Sequence, residues 1–168
     1  MKADDLYEEA AAAHGRALER LVYAYEADPA RRPDLLQEIH IALWRSFRKF
    51  EDRCSVRTWV YRIAHNTAAS YVTRRRRANS LVSLEELDSI SDSIDHARDT
   101  GERVDTERLL QLVQRLKPVD RQLMLLYLED MDAASIGEIM GISANNVRVQ
   151  LHRIKKILSR RFQGGSQP

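Results

Sequence analysis

DAASIGEIMGISANNVRVQLHRIKKIL, residues 132–158, is the stretch whose reading decides the fold. Its apolar residues follow two helical patterns, Ile136, Ile139 and Met140 at i, i+3, i+4, then Val147, Leu151, Ile154 and Leu158 at i, i+4, i+7, i+11. Each pattern has one stripe to bury. Between them Gly141 can adopt the left-handed backbone of a tight inter-helix turn, and Ser143 is a suitable N-cap for the helix that follows. The combination predicts a helix-turn-helix.

With Val147, Leu151 and Ile154 inward, the outward side of the second helix carries Asn145, Asn146, Arg148, Val149, His152, Arg153, Lys155 and Lys156. These are side chains suited to duplex DNA: Arg pairs in bidentate fashion with guanine, Asn with adenine, and a small aliphatic group meets a thymine methyl. Lys155 and Lys156, further along, suit phosphates. The competing reading is a helical hairpin with a solvated basic face.

The chain around this block has 168 residues, 43% hydrophobic and 31% charged, enough for one ordinary domain or two small ones. No apolar run approaches the roughly 20 residues that span a bilayer, and the acidic start MKADDLYEEA is unlike a signal peptide. A cytoplasmic protein with no membrane insertion is expected. A lone Cys54 leaves no partner for an internal disulfide or a multi-cysteine metal site. The five histidines, at 14, 40, 65, 96 and 152, have no ligand spacing. GxxxxGK, HExxH and GxSxG are absent, so neither an enzyme nor a cofactor or metal is expected.

A net charge of +2 hides a strong alternation. Residues 1–42 hold 5 basic and 9 acidic side chains, 43–77 hold 10 and 2, 78–105 hold 2 and 8, and 106–168 hold 10 and 6. Two basic bodies separated by an acidic connector suggest two contacts with nucleic acid. The connector, ANSLVSLEELDSISDSIDHARDTGERVD (78–105), lacks aromatics and a sustained apolar stripe, and is expected to be a linker with at most a helical turn near Leu84 to Leu87. The resulting expectation is an all-α chain: an N-terminal helical bundle (1–77), the linker, a C-terminal helix-turn-helix domain (106–162) and a disordered tail (163–168).

In the N-terminal part, one helix is predicted from about Asp5 to Glu26, burying Leu18, Leu21, Val22 and Tyr25 and stopping before Pro29. A second starts near Pro33 and buries Leu36, Ile39, Leu43, Phe47 and Phe50. Its other side bears Asp34, Gln37, Glu38, Ile41 and Arg45, either solvated surface or a docking face for a large partner. A third, from about Ser55 to Arg77, has Val56, Val60, Ile63, Thr67 and Tyr71 on one stripe and Arg62, Asn66, Ser70 and Arg74 in a row opposite. That row ends in Arg74-Arg75-Arg76-Arg77, a phosphate-gripping helix end. Ahead of it lies the loop Glu51-Asp52-Arg53-Cys54, then Trp59 and Tyr61, aromatics able to stack on unpaired bases or to serve as core.

DLLQEIHIALWRSFRKFEDRCSVRTWVYRIAHNTAASYVTRRRR (34–77) resembles region 2 of bacterial sigma factors of the extracytoplasmic-function group, and LVQRLKPVDRQLMLLYLEDMDAASIGEIMGISANNVRVQLHRIKKIL resembles their region 4. The resemblance covers well over half of the chain, in the family's order. It implies a promoter-specificity subunit of core RNA polymerase. Asp34, Gln37, Glu38, Ile41 and Arg45 would dock on the beta-prime clamp helices, and the C-terminal part would meet the beta flap. Arg53, Cys54, Arg62, Asn66, Ser70, Arg74 and Arg75 would engage the minus-ten element of promoter DNA, capturing an extruded base. The face from Asn145 to Lys156 would read the minus-thirty-five element. An anti-sigma factor would be the regulating partner. Asn145-Asn146 departs from the Gly-Thr pair common in relatives. The alternative is a stand-alone helix-turn-helix regulator, which would need its own dimer interface or ligand pocket.

Overall fold

The computed structural model describes residues 3–82 and 101–164, with side chains over 3–78 and 106–160. Within them the chain is all-α: α1 (Ala3–Tyr25), a 3-10 turn (Pro29–Arg31), α2 (Arg32–Phe47), α3 (Val56–Val82), α4 (Gly101–Gln114), α5 (Pro118–Leu128), α6 (Ala133–Met140) and α7 (Ala144–Gly164). The helices fall into an N-terminal body, α1 to α3, and a C-terminal one, α4 to α7, whose buried residues form one hydrophobic cluster.

Local chemistry sets the breaks. Asp4 and Asp5 favour the positive end of the α1 dipole. Past Tyr25 the chain turns at Asp28, whose carboxylate accepts from the Ala30 amide at 3.0 Å, and Pro33 sits in the first turn of α2. Helix α3 continues five residues beyond the expected Arg77, because the run from Arg74 to Ala78 is made of good helix formers and contains no glycine or proline. The expected linker is therefore helical at both ends, through Val82 and from Gly101. Residues 83–100, with the turn expected near Leu84 to Leu87, and tail residues 165–168 lie outside the described residues.

Two buried stripes differ from the sequence reading. Along α2 the buried residues are Leu35, Ile39, Leu43 and Phe47, with Leu36 only half-buried. This is a strict i, i+4 ladder. Phe50 lies beyond the helix, edge-on to Phe47 with ring centroids 6.0 Å apart. Along α3 the buried set is Thr58, Val60, Tyr61, Ala64, His65 and Ala68, while Val56, Ile63 and Tyr71 are half-buried. The helix is turned so that two alanines meet its neighbours, which lets backbones approach, and so that His65 finds a partner.

That partner is Tyr25, whose hydroxyl lies 3.0 Å from His65 Nδ1 in the core of the first body. Burial pushes the His65 pKa down from 6.5 to about 3. A histidine held neutral in the fold takes up a proton on unfolding, so stability present above pH 6.5 is lost as pH falls below it. Between pH 7 and about pH 5 the expected loss from this group is about 2 kcal/mol. Denaturant melts of the parent and of His65→Gln, which keeps a hydrogen-bonding partner for Tyr25, isolate it: equal pH slopes would show that His65 is not the cause.

The second body buries Val113, Leu123, Leu126, Ile136, Val147, Leu151, Ile154 and Leu158. Arg121 is buried among them; its guanidinium donates to the carbonyls of Gln114 and, at 3.1 Å, Leu116, tying down the end of α4. Among the described residues no helix is long and apolar enough to cross a membrane.

Candidate nucleic-acid interface

The helix-turn-helix is built from both ends. Asp132 caps α6, its Oδ1 accepting from the amides of Ala134 and Ser135 at 2.9 Å. The Ser135 amide and hydroxyl hold the Asp132 carboxyl below its usual range. At the other end Gly141 has φ +71°, and the Ile142 amide donates to the Gly137 carbonyl at 3.0 Å. A Cβ at Gly137 would lie 2.5 Å from the Ile142 carbonyl oxygen, so the turn closes only over a bare α-carbon. Ser143 Oγ accepts from the Asn146 amide at 3.1 Å, the N-cap expected from the sequence.

With Val147, Leu151, Ile154 and Leu158 buried, the outward face of α7 presents Asn145, Asn146, Arg148, Val149, His152, Arg153, Lys155 and Lys156, all exposed. Val149 is 61% exposed, a large fraction for an apolar side chain. Arg153 is tied to Asp120 of α5 at 3.1 Å, and Lys155 Nζ sits 3.7 Å from the centre of the Tyr127 ring. Asn146 Oδ1 accepts from Gln150 at 3.0 Å. Arg148, Val149 and His152 project at the middle of the face.

A second cluster lies at the corner between α2 and α3. Asp52 takes a left-handed backbone, φ +53°, and turns the loop so that Arg53, Cys54, Phe50, Trp59 and Arg62 line a cavity of about 250 Å³. Trp59 is half-buried; its indole N–H donates to Ser46 Oγ at 2.9 Å and its ring lies 5.4 Å from Phe50. Tyr61 is core. Trp59 also packs, partly buried, against the core. From this corner Asn66, Ser70 and Arg74 continue along α3 on its exposed side.

All four cations named for the minus-ten element are already paired, Arg53 with Glu51 of its own loop at 2.8 Å. Arg62 reaches Glu138 of α6 at 2.9 Å, and Arg74 reaches Glu38 of α2 at 2.6 Å. Arg75 donates to Glu26, whose side chain is only 4% exposed. Its pKa is raised chiefly by that bond. Arg75 therefore departs from the rest of its row: its charge neutralises a buried carboxylate.

On α2, Asp34, Gln37, Ile41 and Arg45 are exposed and Glu38 is half-buried. Trp44 joins them, and the sequence reading did not single it out. Its ring is covered by Arg48 at 4.3 Å, and its N–H donates to Asp4 at 2.9 Å. An aromatic three residues after Ile41 on the polar side of the helix was the available signal.

The sigma-70 region 2 family matches residues 10–78, and sigma-70 region 4 matches residues 106–158. Over 144 residues the chain is 30% identical to an ECF RNA polymerase sigma-E factor of Haemophilus influenzae, covering 78% of this chain and 74% of that one. The chain belongs to the extracytoplasmic-function sigma factors of the sigma-70 family. This sigma factor is also 26% identical over 152 residues to the RNA polymerase sigma factor CarQ of Myxococcus xanthus, covering 90% and 86% of the two chains. Its fold is shared with the sigma factor RpoE in complex with the anti-sigma factor NepR from Bartonella quintana, at TM-score 0.73, 16% identity and coverage of 94% and 96%. It is shared too with CnrH in complex with the cytosolic domain of CnrY, at TM-score 0.68, 19% identity and coverage of 95% and 89%.

Proposed function

We propose that this sigma factor binds core RNA polymerase and directs initiation by gripping a promoter with two separate faces. Residues 1–77 form the unit for polymerase docking and the minus-ten element, residues 106–162 the unit for the minus-thirty-five element, and 78–105 join them. The observation that carries this reading is the cavity at the corner of α2 and α3, walled in part by Glu138 of α6, at the head of the row Arg62, Asn66, Ser70 and Arg74. A base leaving the duplex loses a few kcal/mol of stacking, which contact with Trp59 and the cavity wall offsets. The cations along α3 then follow its phosphates. Catalysis stays with the polymerase.

Asp34, Gln37, Glu38, Ile41 and Arg45 on α2 supply the docking face for the beta-prime clamp helices, with Trp44 as an added apolar contact. The C-terminal unit meets the beta flap. An anti-sigma partner is supported by a solved structure of similar fold, the sigma factor RpoE in complex with the anti-sigma factor NepR. The place of action is the cytoplasm, where the polymerase works. Purified core polymerase with and without this chain, on a library of promoter fragments, is the deciding experiment. New start sites and retention of the chain on polymerase are expected; neither would occur for a stand-alone regulator. Gln37→Ala with Glu38→Ala should weaken that retention without changing the melting transition, and undiminished retention would place docking elsewhere.

On the upstream element, Arg148→Ala is expected to cost about 1–3 kcal/mol of recognition if the guanidinium pairs in bidentate fashion with a guanine. Selection from a randomised minus-thirty-five library would show relaxed preference at one position. An unchanged preference would assign Arg148 to phosphate or solvent.

A further inference from the structure

The exposed side of α7 carries one side chain outside the expected DNA-contacting set that is bonded to a member of it. Gln150 Nε2 donates to Asn146 Oδ1 at 3.0 Å. The two residues are one helical turn apart, and Val147 and Leu151, which follow them in sequence, are buried. The amide pair therefore lies along the edge of the outward face, with Asn146 exposed and Gln150 half-buried. Asn146 is the third residue of α7, a position from which a side-chain acceptor commonly turns back to the amide of the capping residue. Here it turns forward, and Ser143 Oγ accepts the Asn146 backbone amide at 3.1 Å. No acidic residue occurs between Ala144 and Arg160, so no carboxylate on this stretch of α7 competes for the Gln150 amide.

We propose that Gln150 is a positioning residue for promoter recognition: by holding Asn146 Oδ1 it leaves the Nδ2 donors as the edge shown to the bases, so that Asn146 selects a keto base, guanine or thymine, over adenine. A free asparagine pairs with adenine in bidentate fashion, its oxygen taking the N6 amine while its nitrogen gives to N7. An asparagine whose oxygen is held by a neighbour offers donors only. These suit guanine O6 and N7 or thymine O4, and leave the adenine and cytosine amines unpaired. In water such a pair is a weak contact. Beneath a base, where water is displaced, it strengthens, and reversing it requires both amides to turn together. The inference rests on the assignment of the α7 face to the minus-thirty-five element, and deepens it by naming the class of base taken at one position.

The test is selection from a randomised minus-thirty-five library by the holoenzyme, core polymerase with the full chain, with the melting transition of each variant measured alongside. Asn146→Ala marks the position that Asn146 reads, as the one where preference is lost. There the parent is expected to favour guanine or thymine over adenine about fivefold, the worth of one neutral hydrogen bond. Gln150→Leu, close in size but with no donor, should admit adenine and bring that ratio near one. Gln150→Lys still donates and should keep the keto preference. Gln150→Glu, ionised, can only accept; it draws the Asn146 nitrogen toward itself and should reverse the preference toward adenine or cytosine. A side chain that merely stabilised the helix would not give opposite signs for Lys and Glu. A parent preference for adenine, or one base ranking shared by the parent and all three Gln150 variants, overturns the proposal. So does an unchanged preference in Asn146→Ala while Arg148→Ala relaxes one position. If both of those variants leave every position unchanged, the proposal falls together with the minus-thirty-five assignment of α7, and the fault lies in the latter.

Discussion

Arg75→Ala is expected to destabilise the first helical body by about 3 kcal/mol, the low end for breaking a buried ion pair from one side. The reason is Glu26. Its side chain is 4% exposed, with one oxygen accepting from the Asp28 amide at 2.8 Å and the other from Arg75. Loss of Arg75 strands a carboxylate that water reaches poorly; the 30% exposure of Arg75 itself keeps the cost from being larger. Replacing Arg74, Arg76 and Arg77 together should do the opposite. Those side chains are exposed, and the one bond they give up among the described residues, Arg74 to Glu38, is a surface pair worth little. The melting transition should hardly move, while the salt dependence of promoter binding by the holoenzyme flattens by about 0.9 per lost phosphate contact. Denaturant unfolding and binding titrations at several salt concentrations read the two effects. An Arg75→Ala protein as stable as the parent would show that Glu26 had found another partner, and an identical salt slope for the triple variant would place those arginines off the DNA.

The second large effect is expected from Gly137→Ala. A methyl group there would lie 2.5 Å from the Ile142 carbonyl oxygen, which is backbone and cannot swing aside. Either α6 and the start of α7 part, or the turn reshapes; both loosen the packing of Ile136 against the buried stripe of α7, at about 3 kcal/mol. Recognition of the upstream element should fall with it, because the Ser143 cap and the exposed face of α7 are aligned by that turn. Gly141→Ala is the useful comparison. Its φ of +71° makes alanine strained, yet nothing lies within 4 Å of the added methyl, so its cost should be smaller, about 1 kcal/mol. Hydrogen exchange of the α6 and α7 amides would locate the loosening; full protection in Gly137→Ala would mean the contact relaxes freely.

What the sequence revealed, and what it hid, follows from the range of the forces involved. The helix-turn-helix was largely legible, since the Ser143 cap, glycine turn and apolar spacing are all local: Val147, Leu151, Ile154 and Leu158 are buried as their spacing required, while of the α6 pattern Ile136 is buried and Ile139 and Met140 are half-buried. The helix order of the first body was legible for the same reason. The faces of α2 and α3 were less so. Leu35 and Leu36 are equally apolar, and which of them is buried depends on where α1 and α3 lie. Ala64 and Ala68 carry no periodic signal in a helix that also holds Val56, Ile63 and Tyr71; only the packed partner reveals that small residues were needed. In the candidate site, Arg53, Asn66, Ser70 and Arg74 are exposed on the side the spacing indicated. Arg75 pairs with a residue 49 positions away, and Glu129 with one 109 positions away. Contacts of that separation leave no local pattern to read.

The tether between Arg153 and Asp120 makes the outward face of α7 unequal as a target for redesign. Asn145, Arg148, Val149 and His152 can be randomised to retune which bases are preferred, because no core residue leans on them. Arg153 also braces α5 against α7, and Lys155 covers the ring of Tyr127. Libraries that vary the first four positions and spare these two should return many more folded, re-targeted variants than libraries that vary all six.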